Sequence, residues 1–124
     1  MRSTLGAVMD QETLSSWVAT WPGVTQEVKW HDDLVFMVVG KMFLVHCFQG
    51  KNQGQLSFKV EDERLLELTD RPHIIPAPYM ARAHWISLLP SCTMEEAEKR
   101  ALIRRAYELV RGKLTRKLQL ELAD

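Results

Sequence analysis

The segment from Leu34 to Phe48 reads LVFMVVGKMFLVHCF. Two apolar runs rich in valine and phenylalanine, Leu34 to Val39 and Met42 to Phe48, are separated by Gly40-Lys41. Such runs are typical of buried β-strands, and a two-residue connection that begins with glycine favours a type II′ turn. The sequence therefore predicts an antiparallel hairpin at the centre of the fold.

Further strands extend this hairpin into a sheet. Thr25 to Trp30 is short and half polar, and it predicts a first strand. In Leu56 to Val60 apolar and polar residues alternate, so one face is buried and Lys59 points the other way. Between the hairpin and Leu56, the glycine-containing polar segment Gln49 to Gln55 predicts a mobile loop at the sheet edge. Ala83 to Leu89 is expected to return to the sheet.

Helices are predicted at both ends of the chain. Asp10 is a suitable N-cap for a first helix, which Pro22-Gly23 ends. Thr93 and Glu96 have the spacing of a capping box that opens a long helix running to about Lys113. The apolar positions at helical spacing are Leu14, Trp17, Val18 and Trp21 in the first helix, and Ile103, Ala106, Tyr107, Val110 and Leu114 in the last.

The order of these elements sets the fold class. Glu61 to Leu68 predicts a short helix, and the three prolines of Arg71 to Tyr79 predict an irregular extended connection. Strands and helices do not alternate as in βαβ units. We therefore predict an α+β fold, with an antiparallel β-sheet flanked by N-terminal and C-terminal helices, in a single domain over residues 1–124.

Composition narrows the class of protein. A chain of 124 residues that is 46% hydrophobic suffices for one sizeable core. No segment approaches the roughly 20 apolar residues of a membrane-spanning helix, and the first ten residues do not resemble a signal peptide. We expect a cytoplasmic protein with no membrane association, in which Cys47 and Cys92 are ordinary thiols.

No pattern of catalytic or metal-binding residues is evident. The four histidines lack the spacings that bring two of them to one metal, and no serine or cysteine has a nucleophile's setting. We expect no cofactor, no metal and no enzymatic activity. The weakest alternative is an enzyme that uses His84 or Lys59 as a base, since neither has a reacting partner in the sequence.

The last helix carries concentrated positive charge although the whole chain has a formal net charge of zero. Between Lys99 and Lys117 eight basic residues face one acid, Glu108. Steps of 100° place Arg100, Arg104 and Arg111 in one stripe beside the apolar face. Such a stripe is suited to follow a phosphate backbone, and its alternative interpretation is a solvated face that keeps the domain soluble.

Aromatic residues beside cations form a second group. Lys29-Trp30-His31 lies on the predicted first strand, and Tyr79, Arg82, His84 and Trp85 surround the last. Trp and Tyr stack on bases or anchor a partner, while neighbouring cations meet phosphates. The alternative is that Trp30 and Trp85 are core residues.

Five segments in register resemble the MmcQ/YjbR family, over roughly Leu14 to Leu114. They are PGVTQEVKW, FMVVGKMFLV, LSFKVEDERLLEL, IIPAPYMARAHWISL and AYELVRGKL. The resemblance implies a fold similar to frataxin/CyaY and a DNA-binding role through a double-wing arrangement of strands. The family-like positions are Lys29, Gly40-Lys41, Phe43, Lys59, Pro76, Tyr79, His84 and Trp85, whereas Ala77 stands where glycine is common. Iron binding is disfavoured, because the first helix offers only Asp10 and Glu12.

Two hypotheses of function follow. In the first, a non-enzymatic DNA-binding domain contacts phosphates through basic residues of the sheet and last helix, with Trp85 or Tyr79 against sugar or base. In the second, an adaptor binds a protein or small ligand in an aromatic cleft. The phosphate-contacting residues are Lys29, Lys59, Arg82, Arg100, Arg104 and Arg111; the cleft residues are Trp30, Tyr79, His84 and Trp85.

Overall fold

A computed structural model of the protein describes residues 11–78 and 80–122. The predicted N-cap Asp10 and the predicted site residue Tyr79 lie outside these residues. The helices are α1 (Gln11–Val18), α2 (Leu65–Thr69), α3 (Glu96–Arg111) and α4 (Arg116–Glu121), with two short 3₁₀ helices at Asp62–Arg64 and Ala81–Ala83. The strands are β1 (Val24–Lys29), β2 (Asp33–Val38), β3 (Lys41–Cys47), β4 (Leu56–Lys59), β5 (Ile74–Pro76) and β6 (Trp85–Leu88).

The strands form one antiparallel sheet in the order β1-β2-β3-β4-β6-β5, which confirms the predicted α+β class. The prediction of an irregular connection is wrong for Ile74–Pro76, which pairs with β6 as an edge strand. Pro76 is compatible with that position because an edge strand leaves one side of its backbone unpaired. The loop 49–55 joins two internal strands, so it lies at an end of the sheet and not at its edge.

The central hairpin is present, but its turn differs from the predicted one. Val39 and Gly40 occupy the two turn positions and both have positive φ, 49° and 79°. Positive φ at both central residues defines a type I′ turn, so the predicted type II′ turn at Gly40-Lys41 is wrong. Lys41 instead begins β3, opposite Val38. The prediction failed because a β-branched residue such as Val39 rarely adopts a positive φ.

A β-bulge in β3 shapes the core. Phe36 pairs with Leu44 and Met37 with Met42, which leaves Phe43 without an opposing residue. The extra residue of a bulge locally breaks the alternation of side chains. Phe43 and Leu44 are consequently both fully buried.

The helices α1 and α3 bury their predicted apolar faces in this same core, through Leu14 and Val18 in α1 and Ile103, Ala106 and Tyr107 in α3. The predicted capping box is wrong, since Glu95 is the N-cap of α3 and makes no side-chain capping bond. The helix also ends at Arg111, two residues before the predicted Lys113.

Tyr107 connects α3 to the segment that follows α1. Its ring is fully buried, with centroids 5.4 Å from Phe43 and 5.1 Å from Trp21. Its hydroxyl donates a 2.6 Å hydrogen bond to the Pro22 carbonyl and accepts one of 3.1 Å from Arg111 Nη1. One side chain therefore fixes α3 to the sheet and to the end of the first helical segment.

Tyr107→Phe keeps the ring and removes only the hydroxyl. We expect the free energy of unfolding to fall by about 1–2 kcal/mol, because the partly buried Pro22 carbonyl loses its donor. Urea denaturation measures this change. Thr20→Val, which removes an exposed bond to the Trp17 carbonyl, is the control and should cost less than about 0.5 kcal/mol. Equal losses in the two variants would contradict the role of Tyr107.

An ion pair ties the segment before β5 to α3. Arg71 donates two hydrogen bonds of 2.7 and 3.0 Å to the Glu98 carboxylate, and these bonds lower the pKa of Glu98 below 4.5. A lowered carboxyl pKa stabilises the fold above pH 4.5, and this stability is lost as pH falls through the folded-state pKa. Because both side chains are partly exposed, solvent screening limits the contribution to about 0.5 kcal/mol.

Glu98→Gln should therefore lower the free energy of unfolding by about 0.5 kcal/mol at pH 7. The difference from the wild type should shrink as pH falls below 4.5, where the wild-type carboxylate becomes protonated. Thermal denaturation of both proteins over a pH series measures it. A difference that stays constant to the lowest pH would show that the charge contributes nothing.

Candidate anion-binding site

A cavity of about 340 Å³ opens at one end of the sheet. At this end β3 and β6 begin, β4 ends and the chain leaves α3. Three lysines and four apolar side chains line the cavity: Lys41, Lys59, Lys113, Met42, Trp85, Val110 and Leu114. We call this set the lysine cavity.

Sheet register and helix length bring the three lysines together. Lys59 ends β4 directly opposite Trp85, the first residue of β6. Lys41 follows the type I′ turn and begins β3, which neighbours β4. Lys113 lies two residues beyond the end of α3, where the buried Leu114 holds the chain against the core. Residues from three distant parts of the sequence thus share one concave surface.

The cavity lysines have no acidic partner among the residues that the structure describes. Within residues 11–78 and 80–122, Lys41, Lys59 and Lys113 form no salt bridge with an acid. Lys59 donates a 2.6 Å hydrogen bond to the Ala83 carbonyl, which is neutral. Burial lowers the pKa of Lys59 below 10.5, and the nearby charge of Lys113 lowers it further. An anion bound here would relieve that repulsion.

The rest of the cavity wall is apolar. Met42, Val110 and Leu114 supply aliphatic surface, and the Trp85 side chain is only 4% exposed. Trp85 therefore forms part of a wall and does not offer an open ring face for stacking. A volume of about 340 Å³ lies within the range of small-molecule sites, which are mostly apolar with a few placed polar groups.

The residues predicted for the site are distributed over several surfaces. Lys59 and Trp85 line the lysine cavity, and the exposed Arg82 belongs to the short 3₁₀ helix whose Ala83 carbonyl accepts from Lys59. Lys29 and Trp30 lie at the opposite end of the sheet, after β1, where Trp30 is 64% exposed.

Of the predicted aromatic cleft, Trp30 is consequently separated from Trp85, and Tyr79 lies outside the described residues. Trp30 and Trp85 lie at opposite ends of the sheet, one exposed and one buried. His84 does not line the cavity, and its Nε2 atom lies 3.2 Å from Asp62 Oδ1. The interpretation of Trp85 as a buried residue is confirmed, whereas the same interpretation is wrong for Trp30.

Arg100 and Arg104 of the arginine stripe contact α1 and the segment after it, whereas Arg111 donates to the Tyr107 hydroxyl and the Leu122 carbonyl. The guanidinium groups of Arg100 and Arg104 lie 4.8 and 4.9 Å from the ring centroids of Trp17 and Trp21. Arg104 also pairs with Glu108 at 3.2 Å, and Arg100 approaches Glu96 at 3.6 Å. Cation–π contacts of this kind stabilise the packing of two elements. Arg100 and Arg104 therefore hold α1 and the segment after it against α3, a structural role that the sequence pattern did not indicate.

Of the three cavity lysines, the sequence predicts only Lys59 as a phosphate contact. Lys41 is a family-like position beside the turn, and Lys113 is one of the eight basic residues near the end of the chain. The feature that the three lysines share is their position, because each lies at or just beyond a boundary of its strand or helix, at the same end of the fold. That feature becomes visible only when the sheet order is known.

Two other features of the described residues bear on function. Residues 11–78 and 80–122 contain no group of three or more His, Cys, Asp or Glu residues placed to hold a metal ion. Over the same residues, no helix is long and apolar enough to cross a membrane.

Comparison with known proteins identifies the family. The crystal structure of Deinococcus radiodurans protein DR2400, which carries a DUF419 domain, matches with a TM-score of 0.82 at 24% identity, covering 95% of this chain and 91% of that one. A Pseudomonas syringae protein matches with a TM-score of 0.63 at 22% identity, covering 82% and 98%. At these identities the two structures support the fold alone, and the likeness to frataxin/CyaY stays a prediction. No curated protein matches the sequence. The YjbR family matches residues 19–109, most of the chain, and the protein therefore belongs to the YjbR family.

Proposed function

We propose that this YjbR-family protein is a non-enzymatic DNA-binding domain that contacts phosphate groups at the lysine cavity. The observation that carries the proposal is the convergence of Lys41, Lys59 and Lys113 on one concave surface without an acidic partner among the described residues. Lysine is a frequent phosphate ligand, because its ammonium group is a mobile point charge with three donors.

The neutral net charge of the chain does not oppose this proposal. Acids compensate basic residues mainly along α3, where Lys99, Arg100, Arg104 and Arg105 approach Glu61, Glu96 or Glu108. The cavity lysines lie outside these pairs, so their charge is available to a partner. Local potential, and not the sum over the chain, attracts a phosphate backbone.

The lysine cavity also changes which residues are proposed to contact DNA. Lys41, Lys59 and Lys113 replace the arginine stripe as the main phosphate contacts, and the exposed Arg82 extends them beside the cavity. Lys29 lies at the other end of the sheet and is not part of this surface. The proposed contact surface is therefore one end of the sheet.

A second candidate function is the binding of a small anionic ligand. It is favoured by the volume and the aliphatic wall of the cavity, which contact with a phosphate backbone alone does not require. This hypothesis keeps the lysines as the anion ligands and gives Met42, Val110 and Leu114 the role of packing against the body of the ligand.

Lys41→Gln/Lys113→Gln tests the DNA proposal. Both side chains are exposed, so folding should be retained while two phosphate contacts are lost. Titration of a labelled duplex followed by fluorescence anisotropy should show affinity reduced roughly tenfold or more at low salt. The slope of log affinity against log salt should fall by roughly 2, because fewer counterions are released.

The matched control is Lys29→Gln/Lys51→Gln, which removes the same charge from the opposite end of the sheet. It should retain most of the wild-type affinity. Equal losses in the two double variants would show that binding follows net charge and not the cavity. A wild-type protein that binds no duplex even at low salt would remove the DNA proposal.

The lowered pKa of Lys59 predicts a pH dependence of phosphate binding. The ammonium form binds the anion, so affinity should be complete below the lowered pKa and should decline as pH rises through it. Lys59→Arg keeps its charge at alkaline pH and should flatten this decline. Anisotropy titrations from neutral to alkaline pH measure both proteins, and an identical decline in the two would exclude Lys59 as the titrating group.

A further inference from the structure

We infer that the lysine cavity recognises a phosphate monoester attached to a nucleoside, and that it prefers this group to an internal phosphate of a DNA strand. The inference rests on the proposed function, since it names the group that the same site takes. The two sources of this group are a 5′-phosphorylated DNA end and a free nucleotide.

The charge of the cavity favours a phosphate monoester over a diester. A phosphate monoester carries about −1.5 to −2 at pH 7, whereas each internal phosphate diester carries a single negative charge. A surface that follows a strand spreads its cations along the backbone. Here Lys41, Lys59 and Lys113 line one space of about 340 Å³, and the charge of Lys113 lies near enough to Lys59 to lower its pKa. Such an arrangement matches the more highly charged monoester.

The number of ammonium donors in the cavity also favours a phosphate monoester. Lys59 uses one of its three donors on the Ala83 carbonyl, which fixes the ammonium group and leaves two donors for a ligand. Lys41 and Lys113 reach the same space from β3 and from the end of α3. Three lysines on different sides suit a tetrahedral group with three free oxygens better than a diester with two.

The concave shape of the cavity favours a terminal phosphate over an internal one. A terminal phosphate projects from the end of its chain, whereas an internal phosphate has a sugar on each side. The projecting group enters a concave site more readily, because its single nucleoside can lie along the aliphatic wall of Met42, Val110 and Leu114. Trp85 is too buried to stack fully on a base, so recognition depends on the phosphate and little on base identity.

The experiment compares two duplexes of identical sequence, one 5′-phosphorylated and one with 5′-hydroxyl ends, by fluorescence anisotropy with the full chain. Isothermal titration calorimetry with dAMP and with deoxyadenosine forms the second arm. We expect the phosphorylated duplex to bind roughly tenfold more tightly, as for one additional charge-assisted hydrogen bond. We also expect dAMP to bind and deoxyadenosine not to bind.

The preference should disappear in Lys41→Gln/Lys113→Gln and persist in Lys29→Gln/Lys51→Gln, with circular dichroism verifying that both variants are folded. A phosphate-dependent duplex preference without dAMP binding supports the strand end as the source. Binding of dAMP without any duplex binding supports the free nucleotide and removes the DNA proposal. Equal affinity for the two duplexes together with no dAMP binding overturns the inference and leaves the DNA proposal intact.

Discussion

The packing of Tyr107 against Phe43 is the contact on which the arrangement of this molecule depends. The bulge in β3 directs Phe43 into the core, and Tyr107 places α3 across that point while its hydroxyl holds Pro22. Six residues later in the chain, Lys113 reaches the end of the sheet where Lys41 and Lys59 lie. A register shifted by one residue at the bulge would turn Phe43 away from the core and remove the contact that places α3. The geometry of the lysine cavity is therefore a consequence of core packing.

The basic residues near the end of the chain fall into two groups with different physical roles. The arginines of α3 have acidic or aromatic partners, and three of them join α3 to α1, to Trp21 and to Glu61. Lys113 has no acidic partner among the described residues and faces the cavity. A planar guanidinium group suits stacking and paired contacts, whereas an ammonium group on a flexible stem suits a mobile anion. The division of labour between arginine and lysine follows this chemistry.

Much of the fold was predictable because the short-range spacing of apolar residues indicates individual strands and helices. Alternation in β4, the apolar runs of β2 and β3 and the helical spacing of α3 each predict one element, and together they give the α+β class. The Val39-Gly40 turn and the bulge at Phe43 were not predictable, because tertiary packing outweighs local preference there. The pairing of Ile74–Pro76 with β6 depends on a neighbour distant in sequence. The sequence likewise predicts Lys59 and Trp85 as individual site residues. It does not predict that they share a cavity with Lys41 and Lys113, because that depends on neighbours distant in sequence.

NMR of the lysine side chains during titration with a short 5′-phosphorylated duplex shows whether the lysine cavity binds phosphate. The protein, labelled with ¹³C at lysine Cε, gives separate signals for individual ammonium-bearing groups. We expect the signals of Lys41, Lys59 and Lys113 to shift together and saturate at one concentration, while those of Lys29 and Lys51 stay in place. Larger shifts at Lys29 and Lys51, or no shift at the three cavity lysines, would show that phosphate binds elsewhere.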